Sequence, residues 1–450
     1  MSGGARDWIA AARQPLRGRI RVPGDKSVSH RAVMLGALAE GSTEIRGFLE
    51  GEDTRATAAI FEQLGVRIEA PAATGRIVHG VGLHGLRGSG QALDCGNAGT
   101  GMRLLAGVLA GQAFDSVLVG DASLSKRPMR RITEPLALMG ARIDTGAQGM
   151  PPLRIQGGPL RGIDYDLPVA SAQVKSALLL AGLYASGWTT VREPHPTRDY
   201  TERMLAAFGW PIEYAPGHAR LEGGHRLRAT RIDVPADFSS AAFFLVAASV
   251  VPGSELHIDA VGMNPRRTGL LQALRLMGAD IREENPREQG GEPVADLVVR
   301  HAVLRGIEVP EALVPDMIDE FPALFIAAAC ADGRTVVRGA AELRVKESDR
   351  IATMAAGLRA LGVAMEETPD GAVIEGRAGK GVLFDGGAVD SHGDHRIAMS
   401  FAIAAQLARG EVRIRDTANV ATSFPGFETL ATRTGMTLKP ASPTPCGGAT

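Results

Sequence analysis

The sequence predicts an α/β protein in which one compact subdomain is repeated six times. A glycine that ends an apolar helix recurs at roughly 70-residue intervals, at Gly65, Gly140, Gly209, Gly278, Gly362 and Gly435. A second glycine, which leads into a run of alternating polarity, recurs at a similar interval, at Gly41, Gly111, Gly187, Gly253, Gly333 and Gly410. This period is too long for a solenoid repeat and suits a small α/β unit.

Each unit shows the same order of segments. An extended segment opens it, as in residues 20–22, 232–234 and 307–309. A polar cluster and an unusually apolar helix follow, as in residues 321–330, and a strand then leads to a second, amphipathic helix. A helix that is apolar on every side has to be buried. We therefore expect two similar domains of three units each, with the buried helices in the middle.

The chain length supports this division, because 450 residues exceed one ordinary hydrophobic core. We expect one domain to span residues 23–234. The other should span residues 235–438 together with residues 1–22, whose strand would pair back onto it. Residues 439–450 are rich in Pro, Gly, Ser and Thr, and we expect them to form a disordered tail.

Composition excludes several classes of function. The net charge of −1 argues against a nucleic-acid partner or a polybasic membrane contact. Charges interrupt every apolar run near the N-terminus, so no signal peptide or membrane span is expected there. The three cysteines, Cys95, Cys330 and Cys446, match no metal spacing and fit a reduced, cytoplasmic setting.

The polar clusters that precede the buried helices carry unexpected cations. N-capping explains a Ser, Asp or Asn at a helix start. It does not explain Lys26, Arg31, Arg103 and Arg396, which lie just inside helix starts and oppose the helix dipole. A bound anion would remove this conflict, so the pattern indicates a ligand with several negative charges. The fourth cluster, residues 237–240, has no cation and is predicted to be structural.

The most highly charged segment is residues 344–350, with three cations and two anions before an apolar series at helical spacing. If a helix begins near Lys346, then Lys346 and Arg350 share a face, and Glu347 precedes Arg350 by three residues. Glu347 would be held ionised by these neighbours, or would carry a proton once a substrate anion joins the site. In isolation, such a segment is also typical of a surface turn crossed by salt bridges.

Three other patterns allow two interpretations. The pair Asp319 and Glu320 precedes a buried helix, where a cap needs only one acid, so the second acid favours acid/base chemistry. The basic segments 125–129 and 197–199 follow strands and, taken alone, are typical of solvated loops.

His392 and His395 flank Asp394 at metal-like spacing, but no third ligand lies nearby in sequence. A helix cap with an anion-binding role is therefore favoured over a metal site. Residues 23–27 resemble the end of a phosphate-binding loop but lack its first glycine, which disfavours nucleotide hydrolysis.

Five motifs together resemble those of the 5-enolpyruvylshikimate-3-phosphate synthase family, in the same order and across almost the whole chain. They are residues 23–31, 96–100, 126–128, 344–350 and 394–396. The resemblance implies the enolpyruvyl transferase fold, an inside-out α/β barrel of two similar domains with three βαβαββ-type repeats each.

The same resemblance implies transfer of the enolpyruvyl group of phosphoenolpyruvate to the 5-hydroxyl of shikimate 3-phosphate, with release of phosphate. The reaction would proceed by addition and elimination through a tetrahedral intermediate, as a step of the shikimate pathway towards chorismate and the aromatic amino acids. No metal or organic cofactor is implied. A cytoplasmic monomer without a nucleic-acid or membrane partner is expected.

Individual roles follow from the resemblance. Shikimate 3-phosphate would be bound by Lys26, Ser27, Arg31, Ser171, Ala172, Gln173, Arg198, Asp319 and Lys346. Phosphoenolpyruvate would be bound by Lys26, Gly99, Arg127, Gln173, Arg350 and Arg396. The catalytic residues would be Lys26, which touches both substrates, Asp319, which takes the 5-hydroxyl proton, and Glu347, which protonates the methylene carbon.

The chain also departs from the common family pattern. Many members carry a lysine within the motif that spans residues 421–425 here, and this chain has none. Ala172 stands where many members have a second serine. These features, with Arg198, resemble the second class of the family, which includes members tolerant of glyphosate. Some tolerant members have alanine at the position of Gly99, so the glycine here predicts competition between glyphosate and phosphoenolpyruvate.

Three alternatives are distinguished by sequence. The sister enzyme that acts on UDP-N-acetylglucosamine generally uses a cysteine in a first-domain loop, and residues 121–131 contain none. Lys26 and Ser27 also replace its Lys-Asn motif. A non-catalytic binder of phosphorylated metabolites would not need Asp319 and Glu347, and a purely structural repeat protein would not place cations at helix starts.

Overall fold

The computed structural model describes residues 7–11, 14–379 and 383–441; residues 442–450, with Cys446 and most of the predicted tail, lie outside the described part. The buried apolar side chains of the described part form two separate cores. One core contains only residues between 28 and 234, and the other contains residues 8–22 and 236–438. We call residues 23–234 the first half, and the described residues of 7–22 and 235–441 the second half. The domain bounds themselves remain a prediction.

The chain begins with two strands of the second half, β1 (Trp8–Ala11) and β2 (Arg17–Ile20). The helices of the first half are α1 (Lys26–Leu38), α2 (Glu52–Gln63), α3 (Gly99–Ala110), α4 (Arg130–Leu138), α5 (Ala172–Gly182) and α6 (Tyr200–Ala207). Its strands are β3 (Glu40–Arg46), β4 (Arg67–Ala72), β5 (Gly75–Val81), β6 (Leu93–Asp94), β7 (Ser116–Val119), β8 (Arg142–Asp144), β9 (Leu153–Gln156), β10 (Leu160–Arg161), β11 (Asp164–Asp166), β12 (Ala185–Ser186), β13 (Trp188–Arg192), β14 (Ile212–Ala215), β15 (His218–Glu222) and β16 (Arg231–Asp233).

The remaining elements belong to the second half. Its helices are α7 (Phe238–Val250), α8 (Gly269–Leu276), α9 (Phe321–Cys330), α10 (Arg350–Ala360), α11 (His395–Ala405), α12 (Val420–Ser423) and α13 (Phe427–Arg433). Its later strands are β17 (Glu255–Gly262), β18 (Asp280–Gln289), β19 (Glu292–Arg300), β20 (Arg334–Val337), β21 (Met365–Thr368), β22 (Gly371–Glu375), β23 (Gly387–Asp390), β24 (Val412–Arg415) and β25 (Thr437–Pro440).

The common plan of the sheets confirms the predicted α/β repeat. Besides the two-stranded parallel sheet β10-β12 of the first half, the described part of each half contains three sheets of three or four strands. In most of them a parallel pair forms one edge and antiparallel strands complete the sheet. The orders are β16-β3-β5-β4, β6-β7-β9-β8 and β11-β13-β15-β14 in the first half, and β18-β19-β17-β2, β20-β22-β21 and β23-β24-β1-β25 in the second. The extended segment expected at residues 307–309 is reduced to one parallel bridge, between Glu308 and Val336. The fifth unit therefore has a three-stranded sheet.

Two strands pair in the half that does not contain the next helix of the chain. β2 precedes α1 in the chain but pairs with β17 of the second half, where Ile20 lies opposite Ile258. β16 precedes α7 but pairs with β3 of the first half. The chain therefore crosses between the halves twice, and the two crossings run side by side. The Asp25 N–H donates to the Pro235 carbonyl at 2.8 Å, and the Asp237 N–H donates to the Pro23 carbonyl at 2.9 Å.

Glycines make the helical layers possible in two ways. The six helix-ending glycines, from Gly65 to Gly435, all have positive φ, the left-handed conformation that closes a helix. Gly107 of α3 serves a different purpose, because a Cβ there would lie 2.2 Å from the Ala177 carbonyl oxygen of α5. The two buried helices thus pack backbone against backbone.

The C-terminal strand corrects one expectation. Lys439 and Pro440, which were assigned to the tail, belong to β25 and pair with Ile9 and Trp8 of β1. The pairing of β1 with both β24 and β25 explains this difference, since a strand from the chain's start supplies their partner. Among the described residues, no helix combines the length and apolarity needed to cross a membrane.

Candidate active site

The predicted site residues of the two halves meet along the boundary between them. Arg198 Nη2 donates to Asp319 Oδ2 at 2.5 Å, and Arg127 Nη1 lies 3.7 Å from Glu347 Oε1. In each pair the cation comes from the first half and the carboxylate from the second. Residues 197–199, which taken alone suggested a solvated loop, therefore contribute to this boundary.

Arg31 is a buried cation with neutral partners. Its guanidinium donates to the hydroxyls of Thr201 at 2.7 Å and Ser176 at 2.9 Å, and to the Ser27 carbonyl at 3.0 Å. The residue is only 4% exposed. Burial lowers the pKa of Arg31 to about 10, although the more distant acids Glu202 and Asp25 oppose the shift. A bound anion would supply the negative charge that the hydrogen-bond partners of Arg31 do not carry.

Lys26 joins both halves through its ammonium group. Nζ donates to Asp53 Oδ2 in α2 at 2.7 Å and to Ser423 Oγ in α12 at 2.7 Å. Burial alone would raise the pKa of Asp53, but Lys26 holds it below its usual value. Neither partner was identified from sequence, because Asp53 resembles an ordinary first-turn acid and Ser423 follows about 400 residues later.

The starts of α3 and α5 lie side by side. Ser171 caps α5 by accepting a backbone N–H at 3.4 Å, and Ala172 is its first residue. Gln173 then accepts from Arg103 Nη1 at 2.8 Å and donates to Thr100 Oγ1 at 3.0 Å. Burial lowers the pKa of Arg103 to about 9, and its buried Nε has no hydrogen-bond partner. This helix pair therefore also presents a cation without a carboxylate.

Gly99, the first residue of α3, lies beside Arg127. Arg127 Nη2 donates to Asn97 Oδ1 at 2.9 Å and to Ser123 Oγ at 3.2 Å. A Cβ on Gly99 would lie 3.2 Å from Arg103 Nη1 and 3.3 Å from Arg127 Nη1. A side chain here would therefore press on both guanidiniums.

In the charged segment 344–350, Asp349 and Arg344 shape the start of α10, while Lys346, Glu347 and Arg350 lie at the candidate site. The prediction that its helix begins near Lys346 is wrong, because α10 begins at Arg350, where Asp349 caps it by accepting a backbone N–H at 3.0 Å. Aspartate is a far better N-cap than lysine. Arg344 binds Asp349 and two backbone carbonyls near the end of β21, so it has a structural role.

Asp319 is surrounded by cations. Arg267 Nη1 lies 3.5 Å from its Oδ2, and Lys346 Nζ lies 3.8 Å from its Oδ1. Burial by itself would raise the pKa of this carboxyl. The pKa is instead held well below its usual range by four nearby cations, which are Arg198, Lys346, Arg396 and Arg267. Asp319 is therefore held in its ionised form.

Glu347 shares the Arg350 guanidinium with Asp394. Arg350 Nη2 donates to Glu347 Oε2 at 2.7 Å, and its Nε donates to Asp394 Oδ2 at 2.8 Å. Arg350 is only 1% exposed. Burial opposes ionisation of Glu347, but Arg350 and its neighbours His395 and Arg127 hold the pKa of the carboxyl well below its usual range.

The fourth helix-start cluster, residues 237–240, has no cation of its own and was predicted to be structural. The fold brings Arg267 to it from the N-terminal side of α8. Arg267 Nη2 lies 3.4 Å from Asp237 Oδ1 and donates to the Ser239 hydroxyl. Arg267 also lies 3.6 Å from Glu320, which in turn lies 3.9 Å from Arg396. The cluster therefore belongs to the polar network around Asp319. Of the paired acids Asp319 and Glu320, Glu320 is the buried one and has a structural role.

The histidines and the aspartate at metal-like spacing, residues 392–395, have roles other than metal binding. Asp394 caps α11 by accepting the Arg396 N–H at 2.9 Å and also binds Arg350. Burial and the neighbouring Arg396 lower the pKa of His395 to about 3, while His392 is exposed. Within the described ranges, no group of three or more His, Cys, Asp and Glu side chains is placed to hold a metal ion.

Comparison with known proteins agrees with this geometry. The family model of EPSP synthase (3-phosphoshikimate 1-carboxyvinyltransferase) matches residues 10–430. The chain is 70% identical to the 3-phosphoshikimate 1-carboxyvinyltransferase of Xanthomonas axonopodis pv. citri (strain 306), over 98% of this chain and 99% of that protein. It is 69% identical to the protein of the same name from Xanthomonas euvesicatoria pv. vesicatoria (strain 85-10), with the same coverage.

Solved structures give the same result. An EPSP synthase from Acinetobacter baumannii superposes with a TM-score of 0.90 at 54% identity, covering 98% of this chain and 100% of that chain. The enolpyruvyl transferase NikO from Streptomyces tendae shares the fold, with a TM-score of 0.78 at 17% identity. The match covers 98% of this chain and 100% of that chain. The predicted enolpyruvyl transferase fold is confirmed, and the chain belongs to the EPSP synthase family.

Proposed function

We propose that this chain transfers the enolpyruvyl group of phosphoenolpyruvate to the 5-hydroxyl of shikimate 3-phosphate and releases phosphate. The supporting observation is that two ionised carboxylates, Asp319 and Glu347, lie among cations drawn from both halves. The two substrates together bring two phosphates and two carboxylates. Charge-assisted hydrogen bonds from fixed cations are the strongest means of holding such groups.

Each substrate has a proposed set of contacts. Shikimate 3-phosphate is bound by Lys26, Ser27, Arg31, Ser171, Ala172, Gln173, Arg198, Asp319 and Lys346. Phosphoenolpyruvate is bound by Lys26, Gly99, Arg127, Gln173, Arg350 and Arg396. The neutral hydrogen-bond partners of Arg31 support the first set, and the position of the partly exposed Arg127 beside Gly99 supports the second.

In the addition step, Asp319 accepts the proton of the 5-hydroxyl as that oxygen bonds to C2 of phosphoenolpyruvate. Glu347 gives a proton to the methylene carbon, which becomes a methyl group, and the product of this step is the tetrahedral intermediate. In the elimination step, phosphate leaves with its bonding electrons and takes up the proton that Asp319 accepted, while Glu347 takes a proton back from the methyl group. Both carboxylates are thereby returned to their starting state. Lys26, which contacts both substrates, offsets the negative charge that collects between them.

Substrate binding prepares the acid. The pKa of Glu347 is held well below its usual range by cations that include Arg350 and Arg127. When anionic groups of phosphoenolpyruvate pair with these guanidiniums, their attraction for the Glu347 carboxylate weakens and its pKa rises. Glu347 then carries the proton that the methylene carbon needs.

Phosphate release by the purified protein tests the proposal. The protein is incubated with phosphoenolpyruvate and either shikimate 3-phosphate or UDP-N-acetylglucosamine, without added metal. Release only with shikimate 3-phosphate is expected. Release only with the sugar nucleotide would assign the chain to the sister reaction, and no release with either would favour a non-catalytic binder.

Glyphosate is proposed to compete with phosphoenolpyruvate. Gly99 leaves the space between Arg103 and Arg127 open, and the inhibitor carries a carboxylate and a phosphonate that suit these cations. We expect inhibition at subsaturating phosphoenolpyruvate that excess phosphoenolpyruvate relieves. Unchanged turnover at millimolar glyphosate under those conditions would contradict the proposal.

The two halves are further proposed to be domains, with bounds near the paired crossings, that close over the substrates of a cytoplasmic monomer. Light scattering should give the mass of one chain, 47.1 kDa. X-ray scattering should show compaction when both substrates are added.

A further inference from the structure

A small contact across the boundary joins the start of α2 in the first half to α12 in the second. Asp53 lies in the first turn of α2, and Ser423 is the last residue of α12. Both side chains hold the same ammonium group, Lys26 Nζ, at 2.7 Å each. Ser423 is only 8% exposed, so its hydroxyl is built into the boundary and is not a surface group that happens to lie nearby.

Gly51 makes this contact possible. It precedes α2, and a Cβ at its position would lie 2.5 Å from the Thr422 carbonyl oxygen of α12. Gly51 has φ −90° and ψ 160°, an extended conformation that any residue adopts. The absence of a side chain is therefore needed for the approach of α12 and not for the backbone conformation. Since the obstacle is a backbone oxygen, an added methyl group would push α12 away.

The geometry determines where the Lys26 ammonium points. An ammonium group has three N–H donors. Asp53 and Ser423 take two of them, and no third partner of Nζ occurs in the described part of the chain. With Asp53 alone, the flexible lysine stem could swing about a single contact. The hydroxyl from the second half provides a second fixed point, which leaves one N–H with a defined direction.

We propose that Ser423 is a positioning residue that orients Lys26, and that it reaches Lys26 only when the halves close at Gly51. This inference rests on the proposed role of Lys26 as the contact of both substrates. Closure then does more than exclude water, because it completes the hydrogen-bond shell of a catalytic residue. Ser423 itself acts through Lys26 and need not touch a substrate.

The test is a double-mutant cycle on binding of shikimate 3-phosphate, measured by calorimetry on the full chain. Ser423→Ala should weaken binding about tenfold, equivalent to about 1.4 kcal/mol, with a smaller change in the rate of the bound complex. In a Lys26→Ala background, the same substitution should have almost no further effect, since its partner is gone. Thr432→Ala, which removes an exposed hydroxyl on α13 that donates only to its own helix, is the control and should match the wild type.

A merely structural role for Ser423 predicts equal losses in both backgrounds, and that result would overturn the proposal. If the wild type itself fails to bind shikimate 3-phosphate, the proposed function fails instead, so the two failures are distinguishable.

A second measurement does not depend on residual binding by the Lys26 variant. Gly51→Ala should reduce the compaction seen by X-ray scattering on adding both substrates, and should lower kcat/KM at least tenfold. Gly158→Ala is the matched control, because a Cβ there meets nothing within 4 Å. Normal compaction together with normal kcat/KM for Gly51→Ala would show that α12 does not close against Gly51 in the working enzyme.

Discussion

The two halves of the site treat their cations differently. In the first half, Arg31 and Arg103 bind hydroxyls, a carbonyl and an amide, and no carboxylate of the described residues lies within ion-pair distance of either guanidinium. In the second half, Arg350 is held between Glu347 and Asp394. Arg350 therefore has carboxylate partners within its own half, while Arg31 and Arg103 have none.

The first half does pair buried cations elsewhere. Lys175 follows Gln173 by two residues in α5, and it lies between Glu193 at 2.7 Å and Glu202 at 2.8 Å, almost fully buried. The unpaired state of Arg31 is therefore specific to its position. Burying an unpaired charge costs stability, and a bound anion recovers that cost. The comparison indicates that the first half is organised to bind anions and the second half to supply carboxylates for proton transfer.

The largest expected effect concerns one of those carboxylates. Glu347→Gln should lower kcat by about 10²–10⁴-fold, the usual contribution of a general acid or base, while both substrates still bind. The amide keeps the side-chain shape but cannot deliver a proton. Steady-state kinetics and substrate binding are measured together, with Glu366→Gln on β21 as an exposed control. A near-normal turnover would remove Glu347 from the proton-transfer role.

A matched pair of substitutions tests the contrast between paired and unpaired cations. Lys175→Met leaves Glu193 and Glu202 buried without their counter-ion and should destabilise the protein by about 3–5 kcal/mol. Arg31→Met removes a buried charge that lacks a carboxylate, so stability should change little or rise, while binding of shikimate 3-phosphate weakens strongly. Denaturant unfolding and calorimetry measure the two quantities. Similar destabilisation by both substitutions would refute the contrast.

Arg127 is a first-half cation that faces a carboxylate of the second half, and its removal tests its proposed role in binding phosphoenolpyruvate. Arg127→Ala removes a cation that lies 3.7 Å from Glu347 and should raise KM for phosphoenolpyruvate about 10–100-fold, the range for one hydrogen bond to a charged group. The effect on shikimate 3-phosphate should be much smaller. An unchanged KM for phosphoenolpyruvate would exclude Arg127 from its binding.

The smallest effect concerns a place where both halves bring acids together. Asn264 Nδ2 donates to Asp199 Oδ1 of the first half at 2.7 Å and to Glu292 Oε2 of the second at 2.9 Å. Burial is the main cause that raises the pKa of Glu292 to about 8, although Asn264 and Arg203 oppose the shift. A carboxyl with a raised folded-state pKa binds more protons when folded. Its contribution to stability therefore falls as the pH rises from about 4.5 to about 8.

Glu292→Gln removes this dependence and keeps the side-chain shape. Relative to the wild type, the variant should gain about 3–6 °C in Tm at pH 8 and little at pH 5. Thermal unfolding at the two pH values measures the difference. The opposite trend, with a larger gain at pH 5, would show that Glu292 is ionised in the folded protein across this range.

Much of the site could be predicted because its signals are local. The cap of α11 at Asp394 and the start of α9 at Phe321 depend on residues within three or four positions. One local prediction was still wrong, since the helix expected from Lys346 begins at Arg350. That prediction used only the spacing of the charged residues. The N-capping preference of aspartate is stronger and places the start of α10 directly after Asp349.

These local signals could not predict contacts between residues that are far apart in the sequence. Arg267 reaches Ser239 from 28 residues away, and Ser423 reaches Lys26 from 397 residues away. Nothing in the neighbourhood of Arg267 or Ser423 distinguishes either from an ordinary surface residue. Only the packing of α7, α8 and α12 around the boundary brings these side chains to the site.

The sequence by itself determined the sixfold repeat, the helix starts and the surplus of cations at them, because capping, glycine conformation and apolar periodicity act over one or two turns of the chain. The tertiary structure decided which charges are paired and in which half β2 and β16 find their partner strands. It also decided that the second half supplies the second hydrogen-bond partner of Lys26. Those outcomes depend on the two crossings between the halves at Asp25 and Asp237. An ion pair forms wherever the fold brings opposite charges within a few ångströms, and separation along the chain carries no information about that distance.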